Sequence, residues 1–411
     1  MYYILNYGWQ KRLSKSWRLH EKAVVFKHLP DITLTFRLTS STRLLEFFYC
    51  SALRSATLYW SKYLGNIALI LNKESVWDKR LAEHLTKHED AMGMMFEFYY
   101  EPSPNQTKYF LKESRGYQQQ LYSSFLTDLF IQTPVIAYTD SDAKFTTPVT
   151  QDNIFNGEKL KVKGIHAKFR GKFSKNWAKT TKMMLGVDMV ADFMSYFPVY
   201  IWKDTIANCR KFIMNHVNSS ATDFIEVFSQ AQGHASSPVV VIMTYAYYFE
   251  KHRYDFHIDI RNETLSDYNK KYVAKGFELG QSDISPDLHV QIHDKHFSEP
   301  RRQHMVSKLS YCRASRNLNI LLPQNIQEMC DPLRISSQWF LFQFEHNPVA
   351  KVEHLTTWCK NKRDKCDDMI NKHYEHCDQL FKLGIYDLDI SRIDVVEKVA
   401  AQQGIYCKPY W

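Results

Sequence analysis

Short runs of β-branched and aromatic residues alternate with longer amphipathic stretches along the first third of the chain. The short runs predict strands, and the stretches with apolar residues at helical spacing predict helices. The predicted strands are Ile32–Leu38, Asn66–Leu71, Met94–Tyr100 and Pro134–Tyr138, and the predicted helices are Arg43–Lys62, Ser75–His88 and Gly116–Phe130. Strands that alternate with helices in this way predict an α/β domain with a mixed, mostly parallel sheet flanked by helices.

The pattern continues less regularly in the rest of the chain. Further predictions are strands at Lys159–Ile165 and Ser195–Trp202 and helices at Lys203–His216, Val352–Leu383 and Ile390–Gln403, while the period of Pro238–Tyr248 does not decide between helix and strand. We therefore divide the chain into an N-terminal arm (1–30), an α/β domain (31–305) and a mainly helical C-terminal extension (306–411), with the last boundary near 305–335.

Composition and charge narrow the class of protein. Apolar residues make up 45% and charged residues 24%, which is typical of a chain that buries a core. The net charge of +9 favours phosphate-bearing ligands. The alternating lysines that begin at Lys159 are typical of a strand with one solvated face. No nucleic-acid-binding motif accompanies the charge, so we expect no nucleic-acid partner, and we find neither a signal peptide nor a membrane span.

The cysteines and glycosylation sequons bear on the compartment. None of the eight cysteines forms a C-x-x-C pair, which argues against a zinc ribbon, and six of them follow residue 311. We expect some of these C-terminal cysteines to be paired. Together with sequons at Asn105, Asn218 and Asn262, this favours the secretory pathway or Golgi lumen over the cytoplasm.

The most informative motif is Asp140-Ser-Asp142, directly after the predicted strand Pro134–Tyr138. Ligands of parallel α/β sheets bind outside the carboxyl ends of the strands, where this motif is expected to lie. Two carboxylates one residue apart can chelate Mg²⁺ or Mn²⁺, whose other positions are then open to diphosphate oxygens. A D-x-D triplet alone is common in solvated turns, so its position after a buried strand is what points to a site.

Three blocks of sequence resemble the GT-A glycosyltransferases: Phe110–Gln120, VIAYTDSDAKF from Val135, and Met194–Val199. The resemblance covers about residues 30–300 and implies a GT-A-type, Rossmann-like fold. It also implies transfer of a sugar from a UDP- or GDP-sugar donor to a hydroxyl of a glycan, protein or small-molecule acceptor, with Mn²⁺ or Mg²⁺ as cofactor.

The resemblance assigns candidate roles to residues of this chain. Those implied to contact the donor are Phe36, Arg37, Thr39, Arg115, Tyr117, Gln118, Asp140, Ser141 and Asp142. Asp140 and Asp142 are the implied metal ligands, and His293, with His296 behind it, is the candidate for a further ligand. For each of these histidines, an ordinary surface or core residue is the favoured alternative.

The catalytic base is the least determined part. An inverting transferase needs a carboxylate to accept the proton of the acceptor hydroxyl. Asp188 and Asp192 are four residues apart, which would place them on one helical face, and Glu226, with Asp223 near it, is a further candidate. Each of these acids is also readable as a surface residue.

Two other classes of function stay open. The segment Ser236–Val241 lacks the polar or acidic residue that related proteins carry there, so a catalytically inactive GT-A-like protein that binds carbohydrate or acts as a scaffold is one alternative. A metal-dependent phosphatase or nuclease, with an acid pair at a strand end, is another. A serine hydrolase and a P-loop nucleotidase are disfavoured, because neither G-x-S-x-G nor G-x-x-x-x-G-K-[ST] occurs.

Overall fold

A computed structural model describes residues 29–101, 115–145, 149, 151–167, 172–194, 196–217, 223–231, 236–259, 291–293 and 391–407. Most of the predicted N-terminal arm, the predicted helix 352–383, the boundary near 305–335, His296 and the three sequons lie outside these residues.

The strands follow the predicted alternation. They are β1 (Ile32–Arg37), β2 (Ile67–Asn72), β3 (Phe96–Glu101), β4 (Val135–Thr139), β5 (Ala143–Phe145), β6 (Phe155–Asn156), β7 (Lys159–His166), β8 (Ala191–Asp192), β9 (Tyr196–Phe197), β10 (Val199–Trp202), β11 (Tyr254–Asp259) and β12 (Gln291–His293).

Helices separate most of these strands. They are α1 (Thr42–Phe47), α2 (Arg54–Tyr59), α3 (Val76–Met92), α4 (Arg115–Ser124), α5 (Thr127–Phe130), α6 (Gln151–Ile154), α7 (Lys172–Leu185), α8 (Lys203–His216), α9 (Phe224–Ala231), α10 (Pro238–Phe249) and α11 (Ser391–Ala401).

The central sheet has five strands in the order β10-β4-β1-β2-β3. Strands β1 to β4 run parallel to one another, and β10 is antiparallel to β4 at the edge. Every residue of β1 and β4 is buried, as expected for parallel strands covered by helices on both faces. The fold is therefore the mixed, mostly parallel α/β sheet flanked by helices that the sequence predicts.

Two smaller sheets complete the described part of the fold. One has the order β11-β7-β6, with β8 paired to β7, and the other has the order β5-β12-β9. The expectation of a solvated lysine face on β7 is only partly right. Lys159 is exposed, Lys161 is half-buried and Lys163 is buried, so the strand enters the interior as it proceeds.

The ends of the helices follow from local sequence. Ser41 and Ser75 cap α1 and α3 by accepting hydrogen bonds from the N–H groups of Leu44 and Asp78. Gly93, in the left-handed conformation (φ 64°), ends α3.

The ambiguous stretch Pro238–Tyr248 is part of helix α10. Ser237 is its N-cap, and Pro238 occupies the first helical position. A proline is tolerated there because an N–H at this position would have no acceptor within the helix. Nearly every residue of α10 is buried, so the helix is apolar all round and has no amphipathic period to read.

The predicted helix Arg43–Lys62 is not one regular helix. A π-helical segment, Phe48–Leu53, joins α1 to α2. Such segments are rare and often accompany functional sites, and neither composition nor periodicity indicates one here.

Helix α11 belongs to the same core as the α/β domain. Its residues Ile393, Val396 and Val399 are buried in the hydrophobic cluster that contains the central sheet. A disulfide joins Cys407, just after α11, to Cys50 in the π-helical segment. Pairing of a C-terminal cysteine is thus confirmed, although its partner lies in the N-terminal part of the chain rather than among the other C-terminal cysteines.

Two polar contacts add to the docking of α11. Arg54 pairs with Glu397 at 2.6 Å, and Nε2 of His84 donates to the carbonyl of Val399 at 2.9 Å. Both contacts join the helix to the first half of the α/β domain, through α2 and α3.

Candidate functional site

The acidic turn Asp140-Ser-Asp142 directly follows β4, at the carboxyl end of a central parallel strand. The N–H of Ala143 donates to the carbonyl of Asp140 at 3.2 Å and closes the turn. Asp142 is 3% exposed, and Asp140 is more accessible. The sequence thus places one buried and one accessible carboxylate at the edge of the sheet where ligands bind.

Strand β5 continues from this turn and is held on both flanks. On one side β12 pairs with it antiparallel, so that His293 lies opposite Ala143, the residue after Asp142. On the other side, the buried N–H of Phe145 donates to Oγ of Ser55 on α2 at 2.9 Å. The backbone of the candidate ligand His293 is therefore adjacent to the acidic turn, although the two are about 150 residues apart in sequence.

The two carboxylates of the acidic turn suit a hard divalent cation. Carboxylate oxygens are the ligands that Mg²⁺ and Mn²⁺ prefer, and both ions leave several positions to water or phosphate oxygens. Among the side chains that the structure describes, no group of three or more His, Cys, Asp or Glu is arranged to hold a metal ion. A cation bound at Asp140 and Asp142 would therefore take its further ligands from a nucleotide or from other residues.

Tyr138 is the fourth residue of β4 and precedes Asp140 by two residues. Its hydroxyl is 2.9 Å from Oγ of Ser124 on α4. Burial raises the pKa of Tyr138, and the negative charge of Asp140 raises it further, while the bond to Ser124 and the charge of Arg37 oppose this. The phenol therefore stays protonated and neutral beside the acidic turn.

Arg37, a predicted donor contact, ends β1 and forms an ion pair with Glu101, which ends β3. Each of the two side chains is 6% exposed. Burial raises the pKa of Glu101, and the charge of Arg37 opposes this rise. The side chain of Arg37 is therefore engaged by Glu101 at the end of β3, while its charge still acts on Tyr138 of β4.

The loop after β1, where the donor is expected, is anchored by a residue that the sequence reasoning missed. The carboxylate of Asp78 accepts the N–H of Ser40 at 2.7 Å and the N–H of Asn72 at 2.8 Å. Asp78 is 1% exposed and sits in the first turn of α3. The S-x-x-D spacing from Ser75 is a helix-capping signal, but nothing in the sequence indicates that the carboxylate bridges two loops.

The other predicted donor contacts differ in accessibility. Phe36 is fully buried and packs edge-on against Phe48, so it belongs to the core. Thr39 is half-buried in the loop. Tyr117 is 53% exposed in the first turn of α4, close enough to Tyr138 for an electrostatic interaction, whereas Gln118 is buried. The side chain of Arg115 lies outside the described residues.

The four-residue spacing of Asp188 and Asp192 predicts that they share a helical face. In the structure the two acids do not share one. Helix α7 ends at Leu185, and Gly186, with φ 72°, turns the chain away. Asp188 is exposed and pairs with exposed Lys182 at 2.8 Å. Asp192 is fully buried in β8 and accepts the N–H of Met194 at 2.7 Å. The break at Gly186 and the pairing of β8 with β7 therefore separate the two acids.

The remaining candidates lie at the start of α9. Glu226 is half-buried in its first turn, and Asp223 precedes the helix. The apolar side of α9 packs through Phe224 and Phe228 against Tyr122 and Phe125.

Within the described residues, no helix combines the length and the apolar character needed to cross a bilayer.

Comparison with known proteins gave matches among solved structures only; no protein-family model and no curated protein sequence matches the chain. Mouse xyloside xylosyltransferase 1 aligns at 13% identity and a TM-score of 0.34, over 64% of this chain and 97% of its own. The glycosyltransferase GlyE of Streptococcus pneumoniae aligns at 11% identity and a TM-score of 0.34, over 82% and 64%. TarS of S. aureus in complex with UDP-GlcNAc aligns at 12% identity and a TM-score of 0.24, over 92% and 93%. At these values the likeness assigns neither an activity, a donor nor an acceptor to this chain.

Proposed function

We propose that this chain is a metal-dependent glycosyltransferase that moves a sugar from a nucleotide-sugar donor to an acceptor hydroxyl. The observation that carries the proposal is the acidic turn Asp140-Ser-Asp142 at the carboxyl end of β4, between that strand and β5. The resemblance of the surrounding sequence to GT-A enzymes supports the same assignment.

In this proposal Asp140 and Asp142 hold Mn²⁺ or Mg²⁺, with His293 as a further candidate ligand. When bound, such a cation stabilises the negative charge on the departing nucleoside diphosphate. The two carboxylates would hold the cation at the carboxyl end of β4, and the neutral phenol of Tyr138 beside them adds no negative charge that would repel a diphosphate there.

The sheet order suggests where the nucleoside part of the donor lies. Strand β1 is next to β4 and β2 is next to β1, and adjacent strands are about 5 Å apart. A nucleoside that extends from a diphosphate at Asp142 towards β2 therefore crosses the loop after β1, which contains Thr39 and Ser40. Because Asp78 anchors that loop at Ser40, the loop is preorganised for binding, which lowers the ordering cost.

Glu226 is partly accessible and Asp188 is exposed, whereas Asp192 is sealed in the interior. A base must reach the acceptor hydroxyl within hydrogen-bonding distance, so burial disfavours Asp192, and Glu226 and Asp188 both stay candidates.

The compartment belongs to the proposal as well. The Cys50–Cys407 disulfide supports an oxidising environment, such as the lumen of the secretory pathway or the Golgi.

Thermal unfolding with UDP, GDP and UDP-GlcNAc, each with and without Mn²⁺, tests the proposal. A ligand at a hundredfold excess over its Kd stabilises the native state by about 2.7 kcal/mol. We expect one nucleotide class to stabilise the native state, and to do this only when Mn²⁺ is present. Asp142→Asn, which keeps the shape of a buried side chain, should abolish this effect, and Asp90→Asn, an exposed acid on α3, should not.

The absence of any nucleotide effect in the wild-type protein would sink the proposal. Stabilisation by an oligosaccharide without a nucleotide would then favour a carbohydrate-binding scaffold, and release of phosphate from a phosphomonoester with Mn²⁺ would favour a phosphatase.

A further inference from the structure

Strand β5 is short, and its position depends on what holds its two flanks. One flank pairs with β12, and the other faces helix α2. Phe145, the last residue of β5, is fully buried, so its N–H must find a partner inside the protein. The partner is the hydroxyl of Ser55, at 2.9 Å.

The Ser55 hydroxyl is itself held in place. It is fully buried and donates to the carbonyl of Ser51 at 2.8 Å, and the carbonyl of Ala52 lies 3.1 Å away. Both carbonyls belong to the π-helical segment Phe48–Leu53. With its proton directed at these carbonyls, the hydroxyl presents a lone pair to Phe145. Helix α2 thus offers β5 one acceptor in a fixed direction.

Only two residues separate Asp142 from Phe145. The turn closes through Ala143 and Asp140, and Ala143 also pairs with His293. A shift of β5 away from α2 would therefore move both candidate carboxylates and the strand that contains the candidate histidine.

We propose that Ser55 is a positioning residue for the divalent-metal site: it fixes β5, and through β5 the carboxylates of Asp140 and Asp142, without touching metal or donor. This inference rests on the proposed function, since it takes the acidic turn to be the metal site. Residues that orient metal ligands from outside the coordination sphere typically change metal affinity by about 10- to 100-fold when lost.

The test is a titration with Mn²⁺ alone, with free Mn²⁺ followed by electron paramagnetic resonance. Ser55→Ala should raise the Kd for Mn²⁺ about tenfold, at the low end of the range for such residues. The matched control is Thr57→Val, which removes another buried hydroxyl of α2. The Thr57 hydroxyl donates to the carbonyl of Leu53 and contacts the sulfur of Met94, away from β5.

Thermal unfolding without metal separates a positioning role from a general loss of stability. Ser55→Ala and Thr57→Val should lower the unfolding midpoint to a similar degree, while only Ser55→Ala weakens Mn²⁺ binding. Ser55→Cys, whose sulfur is a weaker acceptor, should give an intermediate Kd, and it serves as the test variant where Ser55→Ala does not fold.

Equal Mn²⁺ affinities for wild type, both Ser55 variants and the Thr57 variant would overturn the role of Ser55 and leave the proposed function intact. Failure of the wild-type protein to bind Mn²⁺, with or without nucleotide, would instead overturn the metal site and with it the proposed function.

Discussion

The side chain of Arg37 reaches across β2 to pair with Glu101, joining the carboxyl ends of β1 and β3. Both side chains are almost wholly buried, so each charge depends on the other for compensation. The pair fixes the sheet edge beside the expected donor loop.

Glu101→Gln should destabilise the fold by about 3–5 kcal/mol, because it leaves the buried guanidinium without a counter-charge. The double variant Arg37→Met, Glu101→Gln should recover much of that loss, since no uncompensated charge remains. Chemical denaturation of the two variants and the wild type provides the free energies. Equal losses for the single and double variants would show that the ion pair is not the source.

Asp78→Asn should loosen the loop after β1. The amide oxygen can accept only one of the N–H groups of Ser40 and Asn72, and the amide nitrogen faces the other. An unsatisfied buried group costs about 1–3 kcal/mol, so we expect a loss of stability in that range together with weaker nucleotide binding. Calorimetric titration measures the binding, and Asp90→Asn on the same helix is the control. Undiminished nucleotide affinity would show that the loop does not contact the donor.

Reduction of the Cys50–Cys407 disulfide should lower the stability of the protein. The bond joins residues 357 positions apart, and the chain-entropy account gives an upper value of about 6 kcal/mol for a loop of this length, whereas native disulfides typically contribute about 2–4 kcal/mol. A dithiol reductant should lower the unfolding midpoint of the wild type and leave that of Cys50→Ser, Cys407→Ser unchanged. A reductant effect of equal size in both proteins would indicate that another bond is responsible.

His257 should make stability depend on pH. It is 4% exposed in β11, and burial lowers the pKa of its imidazole despite the bond to Asp255 at 2.8 Å. The nearby charges of Lys163 and Lys161 lower this pKa further. Because the unfolded imidazole binds its proton near pH 6.5, stability is full above that pH and falls as the pH drops below it.

Unfolding midpoints between pH 7.5 and 5.0 provide the measurement for this site. His257→Gln, which cannot take up a proton there, should lose less stability over this interval than the wild type. Parallel curves for the two proteins would contradict the assignment of the pH dependence to His257.

Substitutions of the three candidate bases should differ in their effects on stability and on the transfer rate. Asp192→Ala should cost about 1–3 kcal/mol of stability, because the partly buried N–H of Met194 loses its acceptor. Asp188→Asn should change stability by less than about 1 kcal/mol, since it removes only an exposed ion pair. Glu226→Gln should affect the transfer rate without a comparable stability loss. A normal rate for Glu226→Gln would remove it from the candidates.

The sequence predicts those parts of the fold whose signals are local. Strand β4 and its acidic turn follow from an apolar run that ends in Asp140, and α3 follows from a serine cap and a terminal glycine. Strand β7 shows where such signals fail. Its lysines alternate as on a solvated strand, yet Lys163 is buried at the point where His257 of β11 pairs with it.

The missed features of the site are contacts between distant residues. Asp78 bridges Ser40 and Asn72, and Ser55 holds Phe145, through hydrogen bonds that join separate elements. Nothing in the neighbouring sequence of Asp78 or Ser55 specifies these partners. The four-residue spacing of Asp188 and Asp192 gave a wrong prediction for a related reason. Gly186 ends the helix before Asp188, and Asp192 lies in β8, which pairs with β7.

The disulfide also determines how the chain behaves when it is cut. Cys50 and Cys407 enclose most of the 411 residues in one covalent ring. A single proteolytic cut inside that ring leaves every residue attached, and the products separate only after reduction. Electrophoresis without reductant will therefore report a nicked chain as one molecule, and the comparison with a reduced sample will reveal where the ring has been opened.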